Sequence, residues 1–138
     1  MQPILIDANV VISFLVDRIP RQQEQAAVLF QSAADQQARI LLHQHVLAET
    51  VYVLLNVYDQ PVADVAATAS DLVTLPGIER VDRLNDARLF ELWPATIRDF
   101  GDAVIAAVAS EEKCPVATFD AKLRRLLKKL GLAVWAWS

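Results

Sequence analysis

Cysteine is almost absent: Cys114 stands alone among 138 residues. A single thiol builds neither a disulfide scaffold nor a zinc finger, and such low usage is expected of a reducing cytoplasm. Glycine is scarce as well, limited to Gly77, Gly101 and Gly131. Neither GxGxxG nor GxxxxGKS/T can be written with these three, which excludes the Rossmann dinucleotide fingerprint and the P-loop. No apolar run reaches the length of a membrane span, so no membrane partner is expected. The first nine residues carry no basic start and Asp7 interrupts their apolar stretch, so a signal peptide is not expected. Basic residues are in deficit, 13 Lys and Arg against 17 Asp and Glu, for a net charge of −4. That excludes a uniformly basic nucleic-acid surface while leaving room for a local basic patch. Ser13 lies near Asp7 but has no base partner in the pattern, so a Ser-His-Asp triad is unsupported.

What is present is apolar: 54% of the residues are hydrophobic. At this length one domain, 1–138, is expected, with a core large enough to need no staple. Short apolar runs alternate with longer helical patterns. Strands are expected at 3–6, 39–43, 78–81, 115–119 and 132–135. Between them, helical spacing begins at Val10, again at Pro20, and over 46–57, 61–74, 85–93, 101–112 and 121–130. Pro20 fits a first helical turn, and Gly131 fits the residue just past a helix end. This alternation predicts an α/β fold with a mostly parallel sheet covered on both faces.

In such sheets ligands sit beyond the carboxyl ends of the strands. Asp7 directly follows the first strand and Asp120 the fourth, so both fall on one edge. They converge if those strands are neighbours. Asp102 opens a helix of small apolar residues, and Glu49 sits in an apolar helix between Val46 and Val53, on a face expected to be partly buried. Singly, each Asp reads as a helix N-cap and Glu49 as a solvated residue. Together, four acids drawn to one place would repel one another, which suggests a hard divalent cation, Mg²⁺ or Mn²⁺, able to activate water and stabilise phosphate charge.

The segments Ile6-Asp7-Ala8-Asn9, Leu47-Ala48-Glu49, Asp99-Phe100-Gly101-Asp102 with the Ala/Val/Ile run after it, and Ala117-Thr118-Phe119-Asp120 resemble those of a PIN domain. More closely, the chain resembles the VapC-type toxins of toxin–antitoxin pairs. The resemblance covers nearly the whole chain. It implies a three-layer α/β/α sandwich with parallel strand order 3-2-1-4-5, and a Mg²⁺- or Mn²⁺-dependent endoribonuclease. It places Asp7, Glu49, Asp102 and Asp120 at the catalytic positions, with Asp7, Asp102 and Asp120 holding metal. Asn9 and Thr118 match accessory positions. Asp99, three residues before Asp102, shares or competes for the same role; the apolar run favours Asp102, and the plain reading of Asp99 is a solvated cap residue. The resemblance also implies an RNA substrate, a small antitoxin partner near Val11, Phe14, Val28 and Leu29, and a homodimer. The alternative is a non-catalytic PIN-like module that binds RNA or protein.

Other features carry two readings each. Lys122, Arg125 and Lys129 share one helical face and Arg124 and Lys128 another, either as phosphate contacts beside Asp120 or as a solvated face. His45 and Glu49 have the i,i+4 spacing of a metal pair, but no third nitrogen or sulfur ligand is near, and loop and cap hydrogen bonding is the expectation for His43 and His45. Trp93, Trp135 and Trp137 are expected to anchor packing rather than to stack bases. Cys114, before Pro115, is expected to be buried.

Overall fold

A computed structural model describes residues 1–138. Four strands run β1 (Pro3–Ile6), β2 (Arg39–His43), β3 (Ile78–Val81) and β4 (Val116–Ala117). They pair in parallel in the order β3-β2-β1-β4. Successive strand residues point to opposite faces. Leu5, Ile6, Leu41, Leu42, Val116 and Ala117 are all buried, so both faces of the sheet are covered. That is the three-layer α/β/α sandwich expected of near-continuous apolar strands.

Seven helices connect and cover the strands: α1 (Ala8–Leu15), α2 (Pro20–Ala34), α3 (Gln44–Asn56), α4 (Val62–Thr74), α5 (Asp86–Leu92), α6 (Phe100–Glu112) and α7 (Ala121–Lys129). Pro20 occupies the first turn of α2. Gly131 follows α7 with φ +75°. The deepest helix is α6, where every residue from Ala103 to Ala109 is buried. Small side chains all round let it pack on several sides at once. No helix is long and apolar enough to cross a membrane.

Two strands are shorter than the sequence suggests. The expected strand over 115–119 pairs only at Val116 and Ala117. Beyond Ala117 the chain leaves the ladder. The Thr118 carbonyl accepts from Trp137 Nε1 and Arg124 Nη1, while the Asp120 amide donates to Thr118 Oγ1. The expected strand over 132–135 is reduced to one parallel bridge, Val116 to Val134. It rests on Val116 N to Ala133 O at 3.1 Å and Trp135 N to Val116 O at 2.8 Å. A two-residue neighbour offers no more to pair with. The segment nonetheless lies outside β4, where a fifth strand of the expected order belongs.

Candidate active site at the carboxyl edge of the sheet

The adjacency of β1 and β4 brings the first and last acids together. Leu5 pairs with Val116 and Ile6 with Ala117, so Asp7 and Thr118 are the next residues in register. Thr118, fully buried, donates its hydroxyl to Asp7 Oδ2 at 2.5 Å and accepts from the Asp120 amide at 3.1 Å. One side chain thereby ties the ends of two strands. The other Asp7 oxygen accepts from Val10 N at 3.1 Å and caps α1. Asp120 caps α7, accepting from the amides of Lys122 and Leu123 at 2.8 and 3.1 Å. Both residues are therefore caps, as their positions suggest singly, and both stand on the same edge.

The helix of Asp102 begins at Phe100, one residue before its expected start. Asp99 is the N-cap of α6 and accepts from the Asp102 amide at 2.9 Å. Its side chain is exposed. Asp102 lies in the first turn, half-buried, and caps nothing. The two candidates for one position thus differ in geometry. Glu49 reaches the same place from α3, and it is exposed rather than partly buried. Asp7, Asn9, Glu49, Gly101 and Asp102 line one small cleft of about 70 Å³. Gly101 makes room there: a Cβ on it would stand 3.2 Å from Asp99 Oδ1, 3.3 Å from His45 Nε2 and 3.7 Å from Glu49 Oε1.

Charge is unbalanced in this cleft. Burial pushes Asp102 up to about 7, helped by repulsion from Asp99, Asp120, Asp7 and Glu49. Burial likewise pushes Asp7 up to about 6, against the lowering effect of its bonds to Thr118 and Val10, with Asp120 and Glu49 adding repulsion. A first-turn Asp is ordinarily favoured by the helix dipole, but that effect is only about 0.3–1 kcal/mol at exposed positions, and burial among like charges prevails. No ion pair relieves the group: the three salt bridges of the molecule, Arg39–Glu79, Arg83–Glu112 and Arg88–Glu91, lie elsewhere.

An all-oxygen, uncompensated donor set matches a hard divalent cation in chemistry. It is not a closed cage: no three His, Cys, Asp or Glu side chains are close enough as they stand to hold a metal ion, and the i,i+4 pair His45 and Glu49 gains no third ligand. His43 is committed to capping, with Nδ1 accepting from His45 N at 3.0 Å and Nε2 against the Arg83 carbonyl at 3.0 Å. His45 packs edge-on against Phe100, which in turn meets Trp93.

The remaining sequence candidates separate. Lys122 and Arg125 are exposed and line a shallow surface on α7 with Lys128 and Lys129, outside the acid cleft. Arg124 turns inward to the carbonyls of Thr118 and Trp135. Trp137 stacks on Phe119 with ring centres 4.3 Å apart, a packing role. Of the apolar residues expected to receive a partner, Val11 and Leu29 are core, Phe14 stacks on Phe30, and Val28 alone is well exposed, at 56%. Cys114 is buried, and burial pushes its thiol up to about 11. Sequence reasoning misses Arg18. Its guanidinium donates to the buried Ser13 hydroxyl at 2.5 Å and to the Asn9 carbonyl at 3.3 Å. Nothing but its closeness to Ser13 in the chain could have signalled it.

Comparison with known proteins gives a consistent picture. The family model described as PIN domain matches residues 4–129. No curated protein matches the sequence. Among solved structures, VapBC2 from Rickettsia felis bound to a DNA fragment from its promoter superposes with a TM-score of 0.70 at 17% identity, covering 99% of each chain. VapC20 from Mycobacterium tuberculosis, described as a Sarcin-Ricin loop cleaving toxin, gives 0.64 at 23% identity, covering 94% of this chain and 96% of that one. VapBC-1 from nontypeable Haemophilus influenzae gives 0.68 at 14% identity, with 98% of both covered.

Proposed function

The chain belongs to the PIN domain family, and from that premise we propose that it is a Mg²⁺- or Mn²⁺-dependent endoribonuclease, the toxin of a toxin–antitoxin pair. The observation that carries this reading is the uncompensated cleft, where Asp7, Glu49 and Asp102 share one wall and Asp120 adds its repulsion. Its fold neighbours include a toxin described as cleaving the Sarcin-Ricin loop and VapBC pairs.

In this reading Asp7, Asp102 and Asp120 hold the cation. When bound, it supplies a low-pKa water and neutralises developing charge on the phosphate. Thr118 fixes Asp7 through its hydroxyl and Asp120 through its own acceptor oxygen, so two ligands keep a set spacing. Glu49, exposed on α3, completes the site and would orient or deprotonate the attacking water. Asn9 lines the cleft as a hydrogen-bonding neighbour. Asp99 holds the first turn of α6, and through it the backbone of Asp102. Lys122 and Arg125 meet RNA phosphates beyond the cleft. A small antitoxin covers an apolar surface around Val28, and two copies of the chain pair in the cytoplasm.

The test is cleavage of labelled RNA with Mn²⁺ or Mg²⁺. Wild type should cut, EDTA should abolish cutting, and Asp102→Asn should slow it on the order of 10²-fold or more. Metal-independent cutting, or cutting by Asp102→Asn at the wild-type rate, rejects the assignment. A second reading is a non-catalytic binding module, favoured by the lack of a closed metal cage. Calorimetry separates the two: a module kept only as a fold takes up no Mn²⁺ and cuts no RNA.

A further inference from the structure

Arg18 is placed where no packing need explains it. It follows α1 in the chain, yet its side chain folds back to the carbonyl of Asn9, the second residue of that helix and two positions from Asp7. An eight-residue helix is about 12 Å long, so the arginine carries its charge from one end of α1 toward the other. The anchor is a built one. Ser13 is 1% exposed, and its hydroxyl meets Arg18 Nη2. The same nitrogen serves Asn9, which leaves Nη1 and Nε without a protein acceptor. No carboxylate lies within ion-pair distance of it, although Asp120 lines the same recess of about 250 Å³ with Asn9, Ile19, Gln22 and Phe119.

A guanidinium pinned at one nitrogen, open at the other two and unclaimed by the acids beside it calls for an external anion. The recess shares Asn9 with the acid cleft and adjoins Asp120, so that anion stands next to the proposed reaction centre. We propose that Arg18 binds a backbone phosphate of the RNA, adjoining the one that is cut. This deepens the nuclease reading and rests on it for the identity of the substrate. Arginine suits the task because its charge is permanent and its planar donors match phosphate oxygens. Held by Ser13 and Asn9 before the substrate arrives, it also loses little freedom on binding.

The experiment measures binding of a short labelled single-stranded RNA by fluorescence anisotropy in EDTA, across a series of KCl concentrations, beside Mn²⁺-dependent cleavage. Arg18→Gln keeps an amide donor for Ser13 and loses the charge; Arg18→Lys keeps the charge. Each single-strand phosphate that the protein no longer neutralises lowers the salt slope by about 0.7. Arg18→Gln should show that fall and cut more slowly, with an unaltered thermal midpoint, while Arg18→Lys retains the wild-type slope. A wild-type slope for Arg18→Gln overturns the proposal, even where wild type cuts RNA as expected. If the slope falls but no wild-type cleavage occurs, Arg18 keeps its phosphate contact, and the nuclease reading fails together with the placement beside a cut phosphate. No RNA binding by wild type overturns both.

Discussion

Thr118 does more than its size suggests. Its hydroxyl is the only side-chain partner of Asp7 and also receives the Asp120 amide. Thr118→Val keeps the shape and removes both bonds. Leaving buried partners unsatisfied costs about 1–3 kcal/mol, and urea unfolding should report a loss in that range. Because the Thr118 bond lowers the Asp7 pKa, its removal raises that value further, and Mn²⁺ affinity read by calorimetry should fall about 10–100-fold. Sequence could place Asp7, Thr118 and Asp120 on one edge, since strand ends are visible as apolar runs that stop. It could not show that one hydroxyl joins the two acids, because that depends on the β1–β4 register.

The titrations of single residues oppose one another. Asp7 and Asp102 have folded pKa values raised above 3.8, so the native chain binds more protons than the unfolded chain between about pH 4 and 7. Metal-free stability from these groups is therefore full below pH 4 and erodes as pH rises through 6 and 7. His43 acts the other way. Burial lowers its pKa from 6.5, so its contribution is present above that value and lost as pH falls below it. Asp102→Asn removes one eroding group. Its thermal midpoint should exceed that of the wild type at pH 8 without metal and match it near pH 4. A lower midpoint at pH 8 would mean that Asp102 stabilises α6 as a charge.

At the scale of elements, the start of α6 decides which acid faces the cleft. The apolar run after Asp102 marks the helix well, but the true cap lies three residues earlier, at Asp99. The sequence favours Asp102 for the cleft and reads Asp99 as a solvated cap; the hydrogen bond from the Asp102 amide to Asp99, which periodicity does not register, agrees with that cap. The strands β1, β2 and β3 match their apolar runs residue for residue. The fourth and fifth are shorter than their runs because carbonyls after Ala117 bond to Trp137 and Arg124, partners that only the folded chain brings near. Gly101 offers a test of the helix start. Alanine is the better helix former by up to about 1 kcal/mol, and its Cβ would crowd Asp99 Oδ1 and His45 Nε2 at 3.2 and 3.3 Å while meeting Glu49 Oε1 at an ordinary 3.7 Å. Gly101→Ala should hold its thermal midpoint within a few degrees and lose RNA cleavage, as displaced acids predict. Undiminished cleavage would show that Asp99 and His45 give way without moving the acids of the cleft.

For the whole molecule, stability and cation binding are linked. A ligand that binds only the folded state raises its stability, and carboxylate ligands must shed protons to accept it. Adding Mn²⁺ should therefore raise the melting temperature more at pH 8 than at pH 5, and Asp102→Asn should flatten that difference. A shift equal at both pH values would place Mn²⁺ away from Asp7 and Asp102. The parallel sheet and its covering on both faces were readable from composition and alternation alone. Surfaces were not: the resemblance suggests Val11 and Leu29 as partner-binding residues, and they are core in the fold, because an apolar residue on an early helix does not say in sequence what lies against it.

Asp7 and Asp120 each close the first turn of a helix while standing at the proposed reaction centre. Replacing either one disturbs folding as well as chemistry, since a lost cap costs about 0.5–2 kcal/mol. In a living cell that is enough to lower the amount of protein several-fold through quality-control degradation. A growth-rescue experiment with Asp7 or Asp120 variants would thus register scarcity and inactivity as the same phenotype. Asp102 caps nothing, so its replacement removes an acid from the cleft without taking a cap from a helix, and the protein should not become scarce for want of one.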